Sequence, residues 1–481
     1  MAATIRKYKN LIGGEWVDAA QQGTREIINP ATEEVIAEVP EGSRTDVARA
    51  VAAAENAFKT WSETTPAVRS EALLRMASAI EEHAEEFAEL ESRNVGKPYA
   101  QALLEISDWS VDNTRFFAAA TRCITGLPAA EYVSGYTSMI RREPFGVVSR
   151  IVPWNYPLLT AILGIAPAIG AGNVVVVKPD EKTPLTLLLL AELLQEHLPP
   201  GVLNVVTGTG EEVGAGIVEH PGIRLVSLVG DVETGKKVAA AAAPSLKRVH
   251  LELGGKAPVL VFKDADLEEA ARAVQFAGFF NCGQECMAAT RVLAQDEVYD
   301  EFVAALASRV EKVRVGDPAQ DGEIDIGPLI SEEQRQRVQG FLERAVGAGA
   351  SVVIGGEVPD RTGFFMQPAV ITGAGQKSEI IQREVFGPVV TVQPFSEERE
   401  AIQLANDVKY GLVASVWTEN VRRALRVVRE LQFGTVWVND HLILPSEMPI
   451  GGYGESGYGK DLSVYSVEGY TQIKQVSMRF H

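Results

Sequence analysis

Residues 146–178 read GVVSRIVPWNYPLLTAILGIAPAIGAGNVVVVK, and the order of patterns within them decides the architecture. A β-branched run, GVVSRIV (146–152), gives way at a Pro-Trp-Asn-Tyr-Pro turn to an apolar stretch, and a second run, NVVVV (173–177), follows. Residues 158–177 could be mistaken for a membrane span, but Gly164, Pro167, Gly170, Gly172 and Asn173 interrupt it, so helix, turn and buried strand is the better reading. The alternation continues. Thr183 is expected as an N-cap and Pro184 as the first helical residue before TLLLLAELLQEHL. The runs LNVV (203–206), RLVSLV (224–229) and RVHLEL (248–253) add strands. This order predicts an α/β fold with right-handed crossovers and a Rossmann-type parallel sheet, the architecture that binds nucleotides at strand carboxyl ends.

Working outward, residues 45–63 and 66–94 carry alanine, leucine and charge at helical spacing, so the first hundred residues are expected to be largely helical. Beyond 254, helical patterns at 298–313, 332–348 and 419–431 interleave with strands near SVVI (351–354), PVVTVQPF (388–395), VASVW (413–417) and TVWVN (435–439), predicting a second α/β domain. Two strand-like stretches fit neither sheet: EYVSGYTSMIRRE, between Leu127 and Phe145, and the tail YTQIKQVSMRF. Each is expected to be covered by another subunit, because long unpaired edges invite association.

At 481 residues the chain exceeds what one core usually organises, which predicts two or three domains. A net charge of −19 with no basic run argues against nucleic acid or an anionic membrane as partner. Three cysteines make no disulfide framework, and MAATIRKYKN at the start lacks the apolar core of a signal peptide, so a cytoplasmic protein is expected. No metal site is expected from six scattered histidines and a lone C-x3-C, Cys282 with Cys286.

The chemistry is expected at FFNCGQECMAATR (279–291), which holds two of the three cysteines among small and polar residues. A thiol attacks as thiolate, and a glycine-rich, partly exposed setting for Cys286 would lower its pKa through backbone N–H groups. Other stretches add polar residues at strand ends: PWNYP (153–157), KPDE (178–181), GTGEEVG (208–214), LELGGK (251–256) and EVFGP (384–388).

In this order, PWNYP, KPDE, LELGGK, FNCGQEC and EVFGP resemble the NAD(P)-dependent aldehyde dehydrogenase superfamily over essentially the whole chain, and most of all its aminobutyraldehyde branch. The resemblance implies an NAD-binding domain at 1–125 and 146–253, a catalytic domain at 254–460 and oligomerisation segments at 126–145 and 461–481, in a homodimer or homotetramer. It makes Cys286 the nucleophile, Glu252 the general base, Asn155 the oxyanion ligand and Asp461 a carboxylate in the proton path. For the cofactor it implies Ile151, Trp154, Lys178, Glu181, Gly210, Gly230, Asp231, Leu253, Glu384 and Phe386; for the substrate, Tyr156 and Ile450. Glu181 favours NAD over NADP, since a carboxylate binds a ribose diol and repels a 2′-phosphate. Glu105, Asp108 and Asp112, at helical spacings of three and four, could attract a substrate ammonium, which with the resemblance points to an ω-aminoaldehyde such as 4-aminobutanal.

Three departures from the family pattern stand out. Asp231 follows Gly230 where a serine is usual, which places a carboxylate toward the cofactor phosphates; Leu163-Gly164 replaces tryptophan-lysine, removing an aromatic wall and the lysine partner of Asp461; Ile450 replaces an aromatic residue. Bulkier or apolar aldehydes are therefore the alternative substrates, and a thiol esterase with weak cofactor binding is the alternative activity.

Overall fold

A computed structural model describes residues 5–480. Its first sheet contains five parallel strands: β1 (Val147–Ile151), β2 (Val174–Lys178), β3 (Leu203–Val205), β4 (Ile223–Gly230) and β5 (Arg248–Leu253). They lie in the order β5-β4-β1-β2-β3. The chain thus steps outward from β1 to β3, then returns to the other side of β1, creating a switch point between β1 and β4 where such sheets bind ligands. The 158–177 region is helix α1 (Pro157–Gly170) followed by β2. No helix among the described residues is long and apolar enough to cross a membrane. The helix after Lys178 begins one residue later than expected, at Leu185, with Pro184 as its cap.

The N-terminal expectation needs correction. Helices Arg44–Trp61, Pro66–Glu82 and Ala84–Val95 are present, but five short strands between Arg6 and Pro40 precede them. One hairpin, Asn10–Ile12 with Glu15–Val17, extends the sheet beyond β3. At the opposite edge Gly457–Tyr458 pairs with β5, and this brings the distant Asp461 to the sheet.

The second sheet has seven strands, six of them parallel to their neighbours, around its own core. Three of them, Pro258–Val261, Arg291–Gln295 and Ala369–Thr372, went unread in the sequence. Helix α2 (Leu267–Phe279) packs beside this sheet and delivers the chain to the cysteine stretch.

The two leftover stretches pair with each other. Thr471–Arg479 runs antiparallel to Tyr136–Pro144 over nine residues, and Ala130–Val133 completes a three-stranded sheet. Of the 461–481 segment only this strand lies in that sheet, because helix Ser463–Gly469 packs its Val467 against the first core.

Candidate active site

The carboxyl ends of the parallel strands gather most of the expected cofactor residues. Ile151 ends β1 opposite Lys178 at the end of β2, and Gly230 ends β4 opposite Leu253 at the end of β5. The Lys178 ammonium lies 3.2 Å from Glu181 and donates to the Pro179 carbonyl at 2.7 Å. Burial alone would raise the Glu181 carboxyl, but Lys178 and nearby hydrogen bonds carry it below its ordinary value. Gly210 opens the turn after β3, with no neighbour where a side chain would stand. Trp154 meets the Phe386 ring edge-on, centroids 5.2 Å apart.

Glu384 is half-buried beside the glycine pair after β5, its Oε1 accepting from Gly255 N at 2.9 Å. Desolvation raises its pKa to about 7. Helix α3 (Glu332–Gly347) fixes this loop: Arg337 donates to the carbonyls of Glu384 and Val385, and Gln334 donates to that of Phe386. Neither α3 residue was anticipated. Lys178 and Glu181 paired at one strand end, and the half-buried Glu384 carboxylate beside the end of β5, form a set of polar groups suited to the two riboses of a dinucleotide.

Asp231 serves as an N-cap, a role that aspartate commonly fills. It caps the helix Val232–Ala242, its Oδ1 accepting from Glu233 N at 2.9 Å and Thr234 N at 3.1 Å while Oδ2 takes the Thr234 hydroxyl at 2.5 Å. The carboxylate is therefore occupied with its own helix terminus instead of aiming outward at a ligand.

After α2 the chain passes through three successive left-handed residues, Asn281 (φ +49°), Cys282 (φ +58°) and Gly283 (φ +67°). At Gly283 a Cβ would stand 2.3 Å from the Gly387 carbonyl, so this loop sits directly on the EVFGP loop. Gln284 is fully buried: its side chain accepts from Ile330 N, and its carbonyl accepts from the amides of Asn155 (2.9 Å) and Asn281 (3.3 Å). Asn155 is thus held two residues from Cys286 with one amide proton still free.

The Cys286 setting is not the one expected. Its thiol is half-buried, donates to Glu285 Oε1 at 3.3 Å, and is pushed well above the ordinary thiol pKa by burial and by the Glu285 and Glu384 carboxylates. A general base is therefore needed to generate the thiolate. Glu252 lines the same cavity, and burial brings its carboxyl to about 7, where it can act as that base near neutrality. Cys282 is a buried free thiol, also raised by desolvation.

Asp461 does have a cationic partner. Arg150, in the middle of β1 and fully buried, donates to Asp461 Oδ2 at 3.1 Å, Ser227 Oγ at 2.6 Å and the Thr160 carbonyl at 2.9 Å. Its side chain runs through space that only glycine at 164 leaves open, since a Cβ there would lie 2.4 Å from Arg150 Cδ. Arg150 thus fills the place of cationic partner to Asp461 that the helix leaves empty at Gly164. Ile450 bonds through its backbone to Asp461 in both directions, at 3.0 and 2.9 Å, and its side chain lines the cavity.

That cavity, of about 450 Å³, joins Cys286 and Glu252 to the surface. Trp109, Tyr156, Phe280, Leu163 and Ile450 contribute apolar walls, so the aromatic surface missing at 163 is supplied from elsewhere. Every charged residue lining it, Asp108, Asp112, Glu252, Glu285 and Asp461, is acidic. Glu105 is not among them. It is completely buried in an ion-paired cluster with Lys97 and Glu91, and Lys97 in turn lies 4.2 Å from the Tyr156 ring. The cause is local: Glu105–Ser110 forms a wider π-helical turn, whose extra residue shifts the helical phase by about 100° and separates Glu105 from Asp108 and Asp112.

Comparison with known proteins agrees with this geometry. Residues 16–476 match the model of the aldehyde dehydrogenase family. The chain is 41% identical to a betaine aldehyde dehydrogenase of Bacillus subtilis over 473 residues, covering 97% of this chain and 96% of that protein. It is 39% identical to a phenylacetaldehyde dehydrogenase of Pseudomonas fluorescens, covering 98% and 96%. The crystal structure of a betaine aldehyde dehydrogenase from Staphylococcus aureus in complex with NAD+ superposes with a TM-score of 0.96 at 40% identity, covering 98% of this chain and 95% of that one. The chain belongs to the aldehyde dehydrogenase family and is an NAD-dependent aldehyde dehydrogenase.

Proposed function

We propose that the substrate is an aldehyde bearing a cationic amine, of the ω-aminoaldehyde class represented by 4-aminobutanal. The observation that carries this reading is the uniform sign of the cavity: Asp108 and Asp112 at its exposed end and Glu285 beside the thiol, with no lining cation. An ammonium entering such a cleft is attracted along its length, and the Trp109 and Phe280 rings, 5.9 Å apart, offer π faces to its charge.

In the proposed reaction Glu252 takes the Cys286 proton, and the thiolate attacks the aldehyde carbon. The free Asn155 amide proton and the Cys286 backbone N–H stabilise the resulting oxyanion, by about 3 kcal/mol per donor. NAD, when bound, accepts the hydride, leaving a thioester on Cys286. Glu252, after releasing the thiol proton to solvent, removes a proton from water as the water oxygen bonds to the thioester carbon, and the C–S bond breaks to release the acid and the Cys286 thiolate. Lys178 and Glu181 bind the adenosine ribose, Trp154 approaches the pyrophosphate, and Glu384 and Phe386 position the nicotinamide end. Ile151, Gly210, Gly230 and Leu253 supply backbone surface to the cleft, and Tyr156 and Ile450 shape the substrate pocket. The division of the chain into a cofactor domain (1–125 and 146–253) and a catalytic domain (254–460) follows from the same reading.

A specific observation favours a second reading, arylacetaldehydes or other apolar aldehydes: much of the wall is leucine, isoleucine and aromatic, and one relative is named for phenylacetaldehyde. A panel of 4-aminobutanal, betaine aldehyde, pentanal and phenylacetaldehyde, each assayed with NAD, tests the two. The expected result is a kcat/KM about tenfold higher for the cationic aldehydes, falling toward that of pentanal in Asp108→Asn/Asp112→Asn. Equal or higher efficiency with pentanal ends the aminoaldehyde assignment, and preference for phenylacetaldehyde establishes the second.

The three-stranded sheet is proposed as the oligomer contact, since Tyr132, Val133, Ile473 and Met478 leave large apolar side chains exposed on it. Sedimentation of an Ile473→Glu/Met478→Glu variant should show a smaller species than the wild type.

A further inference from the structure

Beside the candidate base lies a group that the reaction described above does not use. His250 sits two residues before Glu252 on β5, so both side chains leave the same face of the strand. Its Nε2 is 3.6 Å from Glu252 Oε1 and 3.5 Å from Asp461 Oδ1. All three atoms are buried, and none has a hydrogen-bond partner. Three polar atoms that burial should force into partnership instead converge at a spacing slightly too long for a bond, each able to reach the next by a small rotation. The far oxygen of Asp461 is already engaged by Arg150, so its carboxylate is anchored from behind.

We propose that His250 is a positioning residue that acts through Glu252, receiving at Nε2 the proton that Glu252 removes and thereby returning Glu252 to its carboxylate form in each turnover. The balance is simple. Water loses a proton to Glu252 as its oxygen bonds to the thioester carbon and the C–S bond breaks. That proton passes from the Glu252 carboxyl to the His250 ring nitrogen, giving an imidazolium beside the Asp461 carboxylate. The ring, whose side chain keeps 10% of its surface exposed, then releases the proton to solvent. The remaining charged and titratable groups at this junction favour the arrangement. Lys460, donating to the Gly451 carbonyl, comes from the segment that also carries Asp461. Its charge and the nearby imidazole both favour ionised Glu252, against burial and Asp461, which oppose it. Tyr470 contributes a buried hydroxyl near Arg150 and Asp461. Gly459 lies against the ring, where a Cβ would come within 2.5 Å of His250 Cδ2, so only glycine there leaves the imidazole its place.

This inference rests on Glu252 being the base, and the test separates the two claims. His250→Asn and His250→Gln remove the titrating ring while keeping a polar side chain. In both, the burst of NADH should persist, kcat at pH 7 should fall about tenfold, and the acid limb of the kcat–pH profile should move up by about one unit. Added imidazole should restore kcat in the variants in a concentration-dependent way and leave the wild type unaffected. A purely structural role would lower the burst or the melting temperature and would not respond to imidazole. An unmoved limb, or a loss that imidazole does not repair, overturns the role of His250. If Glu252→Gln itself retains the limb and the steady state, the base assignment falls and this inference with it. Should neither histidine variant fold, NMR of the wild-type enzyme labelled with 15N-histidine decides. One ring should titrate with a midpoint that moves in Glu252→Gln, and six unmoved midpoints reject the proposal.

Discussion

The cofactor edge of the first sheet and the aldehyde cavity behind it are built in opposite ways. At the edge, each functional group stands at or just beyond the end of its own strand, so Lys178 and Glu181, Gly230 with Asp231, and Leu253 follow runs of valine and leucine within a few residues. In the cavity, Asp112, Glu252, Glu285, Leu444 and Asp461 come from five separated parts of the chain and meet only in three dimensions. Motifs name single residues in both regions, Glu252 and Asp461 as readily as Lys178 and Glu181, but do not show which distant partners meet them, as Arg150 meets Asp461.

The largest effect expected from breaking this comparison is at the nucleophile. Cys286→Ala should abolish NADH formation, a loss of at least about 10⁴-fold, while NAD still binds, because the strand-end residues are untouched. Equal loss in Cys123→Ala, on the exposed surface, would sink the assignment. Next is Glu252→Gln, which removes the base proposed for both steps and should slow the steady state about a hundredfold without a burst of NADH; a full burst would show that another group deprotonates the thiol. The pH dependence has a definite sign. The carboxyl is raised to about 7, so wild-type turnover should climb about tenfold per unit below pH 7 and level off above it, a limb absent from Glu252→Gln.

The contact of Arg150 with Gly164 shows which part of the cavity the sequence hides. Arg150 lies in a run, VVSRIV, whose pattern announces only a buried strand, and its partner Asp461 is 311 residues away. The one legible signal is the glycine in the apolar helix, which reads as a lost lysine and is the space that the guanidinium occupies. Gly164→Ala should therefore displace the guanidinium, costing about 1–3 kcal/mol of stability and roughly tenfold in kcat. Circular dichroism melting and steady-state kinetics check both, and an unperturbed variant would mean that Arg150 has another way to reach Asp461.

Elsewhere the limits of the sequence have equally specific causes. The strands between Arg6 and Pro40 are two to six residues long and carry mixed polar residues, so no period could establish itself. Regular helical spacing puts Glu105 on a face with Asp108 and Asp112, and one π-helical turn separates them. The tail's strand pairs with one more than 300 residues earlier in the same chain, a separation that no local pattern encodes. By contrast the β-branched runs of the parallel strands were legible because strands buried on both faces need no alternation.

The smallest expected effect belongs to the edge, at Asp231. A carboxylate at a helix N-terminus facing the switch point competes in principle with a bound pyrophosphate for N–H groups and for the positive end of the helix dipole. The hydrogen bonds to Glu233 N, Thr234 N and the Thr234 hydroxyl reduce that competition, because the charge is already met by its own helix, and the side chain is exposed, where solvent and salt screen it. Serine in its place would still cap the helix. Asp231→Ser is therefore expected to bind NAD only about threefold more tightly, with the gain vanishing at high salt and the melting temperature nearly unchanged. Fluorescence titration at two ionic strengths measures this. A gain of thirtyfold would show that the carboxylate turns from its cap toward the phosphates, and weaker binding would show that Asp231 organises the helix terminus on the cofactor's behalf.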